Sequence, residues 1–596
     1  MFIKKTIVYI DYLNFSSLLM AVVSKCFYQQ VRFHNLAPIF KHENMIKCLN
    51  WIGIKWCNRA GTKIDAWTQA YTLNNTLSEK VLNDVFKKHR CYQKLVEKLQ
   101  LDSVGVDKLN ASLRRELVGS KWLYEGTASL ALLDYLYGDE ADIKVLYFSS
   151  NLSNYLLAKQ ASTNIHPKAV LALFNATELS AVYGFKMGFK LVCKTLKKIL
   201  FFSGKQRVKK TKKSNISNEQ PQYCRIGYVP HAGFKYSNLF KKNFIFDEDK
   251  DSVFHKDNVV VISLAPLDEL TKRYVSFFKI PACAMTLVIG FKKLVGMLKA
   301  ASDLSSLKNV TFTSLACQFV LSKFYLRTLH YQRGLKNLKA LEVVYCFYDI
   351  LVPNAFLLAC YLRSIKTVSH QERTIAATWD VGLIYDLYLV SGEAWVKLMK
   401  IRGYSNTDYA ALGLPRSSML QLKPSLDRSR FGDKKIIVCY DLPVCKDIYF
   451  LSLTTAITSG DSLWCFYKAL IKLAKENKEY HLILKPKSVG TIHQDLQAQT
   501  ADLDNFEVII DLKANDSYQL AQLADLIVGK HTSILEECLA AGKKVLCFDN
   551  DAYLSSIDYP LKHPGVVVQN YDELRQRAKD ILMDGQYLSK EALADL

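Results

Sequence analysis

Two things are scarce in this 596-residue chain: backbone punctuation and acid. It has only 25 glycines and 13 prolines, too few for a collagen-like, low-complexity or disordered polypeptide. No run reaches the ~18 uncharged apolar residues that a spanning helix needs. The best candidate, Ile280 to Gly290, is closed in by Lys279 and Lys292, so the sequence does not read as an integral membrane protein. The 15 cysteines are odd in number and scattered, with no C-x-x-C pair and no Cys/His spacing of a zinc finger. Neither a disulfide framework nor a structural metal site is supported, and a reducing compartment fits best. The opening MFIKKTIVYIDYLNF resembles a signal peptide in part, but Asp11 and Asn14 interrupt its apolar run and no small-residue cleavage site follows. The expectation is a cytosolic protein.

What is present is core-forming material and positive charge. Half of the residues are hydrophobic and 12% aromatic, and at about 150 residues per domain the length suggests three or four units. Lys and Arg outnumber Asp and Glu by 79 to 56, a formal charge of +23. Eleven of those bases lie between Lys186 and Lys213 with no acid among them. In the first part of that segment Phe185, Phe189, Val192, Leu196 and Ile199 recur at helical spacing, while Lys190, Lys194, Lys197 and Lys198 follow an adjoining stripe. Such a helix suits an anionic membrane surface, where each base contributes about 1 kcal/mol; the same spacing also serves a core-packed helix followed by a solvated loop. A nucleic-acid arm is disfavoured, because no nucleic-acid module accompanies the run and no stacking aromatics follow Phe202.

Apolar runs and helical periods divide the chain into 1–202, an α/β region ending in the basic amphipathic helix; 203–222, a basic linker; 223–432, a Rossmann-like unit; and 433–596, a second Rossmann-like unit. The first region opens strand, helix, strand, with TIVYID, SSLLMAVVSKCF and QVRFHNL, and adds a strand at 143–150. The second alternates RIGYV, NVVVISLAP, a helix over 267–278, LEVVYCFYD, a helix from Pro353 to Arg363, and KTVSHQE. The last unit is the clearest: KKIIVCYD, LWCFYKALIKLAKE, YHLILKPK, FEVII, SYQLAQLA, DLIVG, TSILEECLAAG, KVLCFD, GVVVQ and YDELRQRAKDILM. Continuous apolar strands between helical segments predict a parallel sheet covered on both faces.

In such sheets ligands bind beyond the carboxyl ends of the strands. There the sequence places Lys530, Thr532 and Ser533 at the start of a helix, where free N–H groups and the dipole favour phosphate. The same hydroxyl residues are ordinary helix caps. Glu537, four residues after Ser533 on the same helix face, is spaced to reach a ribose; Glu536 is expected to face solvent. Lys485 and Lys487 follow HLIL and would offset phosphate charge in the same crevice, and Asp441 follows the first strand.

The string ADLIVGKHTSILEECLAAGKKVLCFDN, with HLILKPK upstream, resembles the donor-binding domain of GT-B glycosyltransferases of bacterial surface polysaccharides. The likeness covers about 435–585, and TVSHQE, YDLYLVSGEAWVKLMKIRGY and ALGLP resemble the end of an acceptor domain. It implies a GT-B-like α/β fold: two facing Rossmann-type doubly wound domains, here with an extra N-terminal α/β region. It also implies a nucleotide-sugar donor, its nucleotide contacted by the helix over 532–541 and Glu537, with no cofactor and no metal; Lys485, Lys487, Lys530, Thr532, Ser533 and Asp441 complete the expected donor contacts at the strand ends, Asp441 being equally explained as a turn residue before Pro443. One departure stands out. The second Glu of the retaining branch, eight residues before Glu537, is Gly529 here. Branches using CMP-activated acidic sugars, and CDP-glycerol phosphotransferases, do not need it.

The acceptor needs a general base from the other domain. His231 and Glu372 are the leading candidates, with His370 and Asp380 more distant. Asp549, Asn550 and Asp551 form a D-x-D that a metal-dependent route would use, although a polar loop explains them equally. The reading is a glycosyltransferase acting at the inner face of the cell membrane on a glycan or lipid-linked acceptor. A polyol-phosphate transferase and a non-catalytic assembly scaffold are its rivals, and no nucleic acid is expected as a partner.

Overall fold

The computed structural model describes residues 5–10, 15–28, 30–33, 51, 53–56, 76–118, 130, 133, 142–149, 152–161, 165–169, 224–230, 252, 255, 257–264, 277–279, 312–347, 352–371, 382–401, 406–414, 420, 427–441, 460–487, 491–509, 517–530, 532–550 and 563–595. Among these residues the strands form three sheets, and every pairing is parallel.

The first sheet comprises β1 (Lys5–Ile10), β2 (Gln30–Phe33), β3 (Ile54–Trp56), β4 (Ile143–Ser149) and β5 (Ile165–Ala169). The second comprises β6 (Ile226–Val229), β7 (Val259–Ser263), β8 (Phe277–Lys279), β9 (Val343–Cys346), β10 (Lys366–His370), β11 (Leu387–Val390) and β12 (Asp408–Ala411). The third comprises β13 (Lys435–Tyr440), β14 (Tyr480–Lys485), β15 (Phe506–Val508), β16 (Leu526–Gly529), β17 (Val545–Phe548) and β18 (Val567–Val568). The helices used below are α1 (Phe15–Phe27), α2 (Arg90–Leu99), α3 (Ser103–Val118), α4 (Leu152–Lys159), α5 (Phe312–Leu335), α6 (Asn354–Tyr361), α7 (Glu393–Ile401), α8 (Gly460–Glu476), α9 (Thr491–Gln499), α10 (Ser517–Leu523), α11 (Ser533–Ala540), α12 (Tyr571–Leu582) and α13 (Lys590–Asp595).

All three sheets obey one rule. Counting strands within each unit, the third sheet runs 3-2-1-4-5-6, the second 3-2-1-4-5-6-7 and the first 3-2-1-4-5. This is the doubly wound order, in which the chain reverses direction across the sheet between its first and fourth strands. The fold is therefore GT-B-like α/β, with two Rossmann-type sheets in series, and the N-terminal α/β region is itself a third doubly wound sheet.

Side-chain parity shows why the strands are apolar throughout. Along β13, Ile436, Val438 and Tyr440 join one core, with Leu520 of α10 and Leu535 and Cys538 of α11. The alternate residues Ile437 and Cys439 join another, with Phe466 and Leu470 of α8, Leu496 of α9 and Leu574 of α12. Successive strand side chains point to opposite faces, so two covered faces leave no position for a polar residue. The all-buried VVVIS of β7 follows the same logic.

The N-terminal sheet is fastened to the second through helices. Lys108 of α3, buried, donates its Nζ to the Ile384 carbonyl at 2.8 Å and pairs with Asp386 at 3.2 Å. Asp386 also accepts from the Thr367 N–H at 2.8 Å and its hydroxyl at 2.9 Å. Asn354 of α6 donates to the Gly382 carbonyl at 2.6 Å and to Ser112 at 3.3 Å. Arg327 of α5 pairs with Glu116 at 2.8 Å. Gly382 has φ +73°, and a β-carbon there would stand 2.3 Å from the Ala111 carbonyl oxygen, so only glycine allows α3 to come this close.

One element differs from the sequence reading. The helix expected over 267–278 does not extend to its end: Phe277 and Phe278 belong to β8, whose partner is β7. The basic linker 203–222 lies outside the described residues.

Candidate functional site

The reversal in the third sheet falls between β13 and β16, which pair directly, with Tyr440 opposite Gly529. On the other side of β13, Tyr440 stands opposite Lys485, the last residue of β14. One row across the strand ends therefore reads Lys485, Tyr440, Gly529, followed by Asp441 and Lys530 in the next row. Parity assigns them to faces. Lys485 and Tyr440 share the face covered by α10 and α11, while Asp441 and Lys530 belong to the α8 and α9 face.

On the α10/α11 face, helix α11 starts beside Gly529, whose nearest neighbours include the Leu535 side chain. Its N-cap is Thr532, extended at φ −126° and ψ 137°, and the Thr532 side chain makes no capping bond to its own helix. The hydroxyl is thus not spent on the role that most often explains Thr at this position. Across from it, the Tyr440 hydroxyl donates to the Ser517 carbonyl at 2.6 Å, fixing the start of α10. Tyr518, next in that helix, donates to Glu537 at 2.5 Å.

This last bond changes the expectation for the two glutamates. Glu537 is only 1% exposed and its carboxylate accepts from the Tyr518 hydroxyl, so it is buried and closed over by an aromatic side chain. Glu536 was expected to face solvent; it is 5% exposed. The reason is that α11 is covered all round: Ile534 to Leu539 are buried without a break, so the helix has no solvent face to give. Burial first, and then the charges of Asp549 and Glu536, push the Cys547 thiol well up, while Lys530 acts to lower it.

On the α8/α9 face, Lys530 is fully buried. Its ammonium donates to Ser462 of α8, and to the Asn550 side-chain oxygen at 2.6 Å. Asn550 is the middle residue of the D-x-D, and it is engaged by a lysine here; Asp549 beside it is buried, and Asp551 lies outside the described residues. No group of three or more His, Cys, Asp and Glu side chains is arranged to hold a metal among the described residues.

Asp441, expected as a donor contact, is instead an interior hub. One carboxylate oxygen accepts from the Lys487 backbone N–H at 2.8 Å. The other accepts from the Tyr467 hydroxyl at 2.7 Å and meets His493 Nε2 at 2.9 Å. Burial, and then the Asp441 charge, raise the Tyr467 hydroxyl well above its ordinary range, so it stays a donor. Lys485 is buried and Lys487 exposed, which leaves this turn with one lysine inside and one outside.

Four of the residues that build the strand-end region carry no sequence signal of their own: Ser462, Tyr467, His493 and Tyr518. Tyr467 and Tyr518 sit within ordinary amphipathic helices, and His493 is a lone histidine in the first turn of α9. His231 and Glu372, the expected base candidates, lie outside the described residues, as do Lys190, Lys194, Lys197 and Lys198. The strands that precede the two candidates, β6 and β10, both pair with β9 and flank it. His370, the more distant candidate, is enclosed: it bonds the Tyr345 hydroxyl, stacks on that ring at 5.6 Å and meets Phe347 edge-on. Among the described residues no helix is long and apolar enough to cross a membrane.

No protein-family profile matches the sequence, and no curated protein matches it. Solved structures similar to the chain include MurG of Acinetobacter baumannii, at 14% identity and a TM-score of 0.36, covering 62% of this chain and 94% of that one. A UDP-GlcNAc 2-epimerase of Neisseria meningitidis, bound to UDP-GlcNAc, matches at 10% identity and 0.36, covering 62% and 92%. The wall teichoic acid polymerase TagF matches at 12% identity and 0.34, covering 68% and 91%. Likeness at this level adds nothing to the strand orders, which establish the fold by themselves.

Proposed function

We propose that the chain is a nucleotide-sugar-dependent glycosyltransferase, with donor bound on 433–596 and acceptor on the preceding units. The observation that carries this reading is the shared face at the reversal of the third sheet, where Lys485 and the start of α11 lie on the same face of the sheet at β13 and the Thr532 side chain makes no capping bond. A lysine, a hydroxyl and the N–H groups of a helix start are what a leaving nucleotide phosphate needs, without a metal. The resemblance of 435–585 to donor-binding domains agrees with that placement. The acceptor is a growing surface glycan, lipid-linked, and the 186–202 helix holds the enzyme at the inner membrane face through Lys190, Lys194, Lys197 and Lys198. His231 or Glu372 supplies the base. An anionic, CMP-activated donor fits the missing Glu at Gly529.

A thermal-shift screen against CMP, UDP, GDP and CDP tests the reading, since a ligand that binds only the folded state raises stability as ln(1 + [L]/Kd). At least one nucleotide is expected to raise the melting temperature in a concentration-dependent way; no shift with any of the four overturns the assignment. A second reading, a binding lobe without turnover, is favoured by the closed Glu537–Tyr518 pair. Nucleotide binding with no nucleotide released from any activated sugar would decide for it. Cosedimentation with vesicles containing anionic lipid, lost on changing the four lysines to Gln, tests the membrane role.

A further inference from the structure

We propose that Asp441, His493 and Tyr467 form a positioning network that sets phosphate affinity from behind the strand ends, without touching the donor. This rests on the donor site proposed above. Asp441 belongs to the α8/α9 face, whereas Lys485 and the start of α11 share the other. A side chain on the far face cannot contact a phosphate held there, but its backbone partner can belong to the near side. That partner is Lys487 N–H, 2.8 Å from Asp441, in the turn that carries Lys485 at one end.

Proton accounting fixes the rest of the network. Tyr467 has a single hydroxyl proton, and its oxygen lies 2.7 Å from the Asp441 oxygen that His493 Nε2 approaches at 2.9 Å. With the tyrosine proton given to the carboxylate, Nε2 must carry a proton to bond the same oxygen. The 3.0 Å approach of Tyr467 to His493 follows from their shared acceptor. Three elements are thereby tied to one carboxylate: the end of β13, helix α8 through Tyr467 and the first turn of α9 through His493. Lys487 N–H, two residues after the end of β14, and His493, in the first turn of α9, are thus bound to the same carboxylate. All three side chains are buried. A polar network enclosed this fully is rigid when satisfied and costly when broken, which is the property a support for a phosphate-binding turn requires.

The test compares nucleotide with nucleoside. In the full chain, using whichever nucleotide binds best in the screen, affinity is measured for that nucleotide and for its unphosphorylated nucleoside. His493→Leu and Asp441→Asn are expected to weaken the nucleotide by roughly tenfold, the loss of about one charge-assisted hydrogen bond, and to leave the nucleoside unchanged. His493→Gln, which keeps a donor at similar reach, is expected to recover most of the loss. Equal weakening of nucleotide and nucleoside would reduce the network to ordinary structural support and overturn the proposal, as would unchanged nucleotide affinity. Should either variant fail to fold, Tyr467→Phe removes one hydroxyl alone and is expected to show the same phosphate-selective loss, in smaller degree; no such selectivity there overturns the proposal too. A wild-type chain that binds no nucleotide would instead bring down the donor site itself, so the two failures are told apart.

Discussion

Gly529 lies so close to the main chain of Tyr440 that a β-carbon on it would stand 2.8 Å from the Tyr440 carbonyl oxygen and 3.1 Å from the Leu535 side chain. A side chain there meets a steric barrier: β13 and β16 approach through a glycine at the point where the sheet reverses. Gly529→Ala is expected to destabilise by about 1–3 kcal/mol, the range for overpacking a filled interior. Gly529→Glu is expected to do worse and to restore no activity. Urea midpoints of both variants check this; an alanine variant as stable as wild type would show that the strands can part at no cost.

The third sheet was the most legible part of the chain because its strands are covered on both faces and therefore read as unbroken apolar runs bounded by turns. Where that condition fails, the signal fades. Strand β12, DYAA, lies at an edge of the second sheet and is largely exposed, so no apolar run marks it. Strand β5 contains Pro167, which argues against a central strand and is tolerated because β5 is an edge. Helix α5 was not recognised at all. It is 24 residues long with Phe324, Cys317 and Leu321 buried, yet it packs against α2, α4 and α6 in turn, so its contacts trace no single stripe. In the site, Lys485, Lys530, Thr532 and Asp441 could be singled out because residues of their chemistry recur at strand ends. Those missed act through partners distant in sequence, as Tyr518 does on Glu537 and His493 on Asp441, and a single chain displays no such pairing.

The fastening of the N-terminal sheet predicts that it is part of the same framework as the second sheet. Lys108→Met would leave Asp386 facing its cavity without the ammonium and the Ile384 carbonyl without its donor. Removing one member of a buried pair costs about 3–5 kcal/mol, and the lower end applies because Asp386 keeps both bonds from Thr367. Adding Asp386→Asn to Lys108→Met should recover part of the loss. Amide exchange in α3 and α6 would rise together in the single variant; a rise confined to α3 would mean that the two sheets open independently.

His481 provides a pH-dependent contribution of known sign. Its ring packs at 4.7 Å on Phe431, and burial first, then Lys434 and Arg430, lower its pKa to about 4 from an ordinary 6.5. The folded chain therefore keeps it neutral while the unfolded chain protonates it. Its stabilising contribution is complete above pH 6.5, is lost as pH falls from there towards 4, and is constant below. For a half-buried ring the loss is about 1 kcal/mol once solvent screening is allowed for. His481→Phe should reduce the fall in melting temperature between pH 7 and pH 4.5, and an unchanged fall would assign the acid sensitivity to other groups.

Thr532 separates a helix cap from a ligand contact, and the two roles predict opposite results. If the hydroxyl capped α11, Thr532→Val would cost about 1 kcal/mol of stability and leave nucleotide affinity alone. The structure shows no capping bond from this side chain, so stability is expected to hold while affinity falls by roughly tenfold or more, the worth of a hydrogen bond to a charged phosphate. Lys530→Met is the companion measurement. It removes a fully buried ammonium that donates to Ser462 and Asn550 and acts on Cys547 together with the buried acids Asp549 and Glu536, so some loss of stability is expected and affinity is read on the folded protein. A lysine whose charge serves only Ser462 and Asn550 would leave nucleotide affinity unchanged. One that also lowers the potential felt by a phosphate at the strand ends would cost it roughly tenfold, more at low ionic strength than at high. Calorimetric titration of the two variants at two salt concentrations distinguishes these cases, and a loss independent of salt would remove Lys530 from the phosphate's electrostatics.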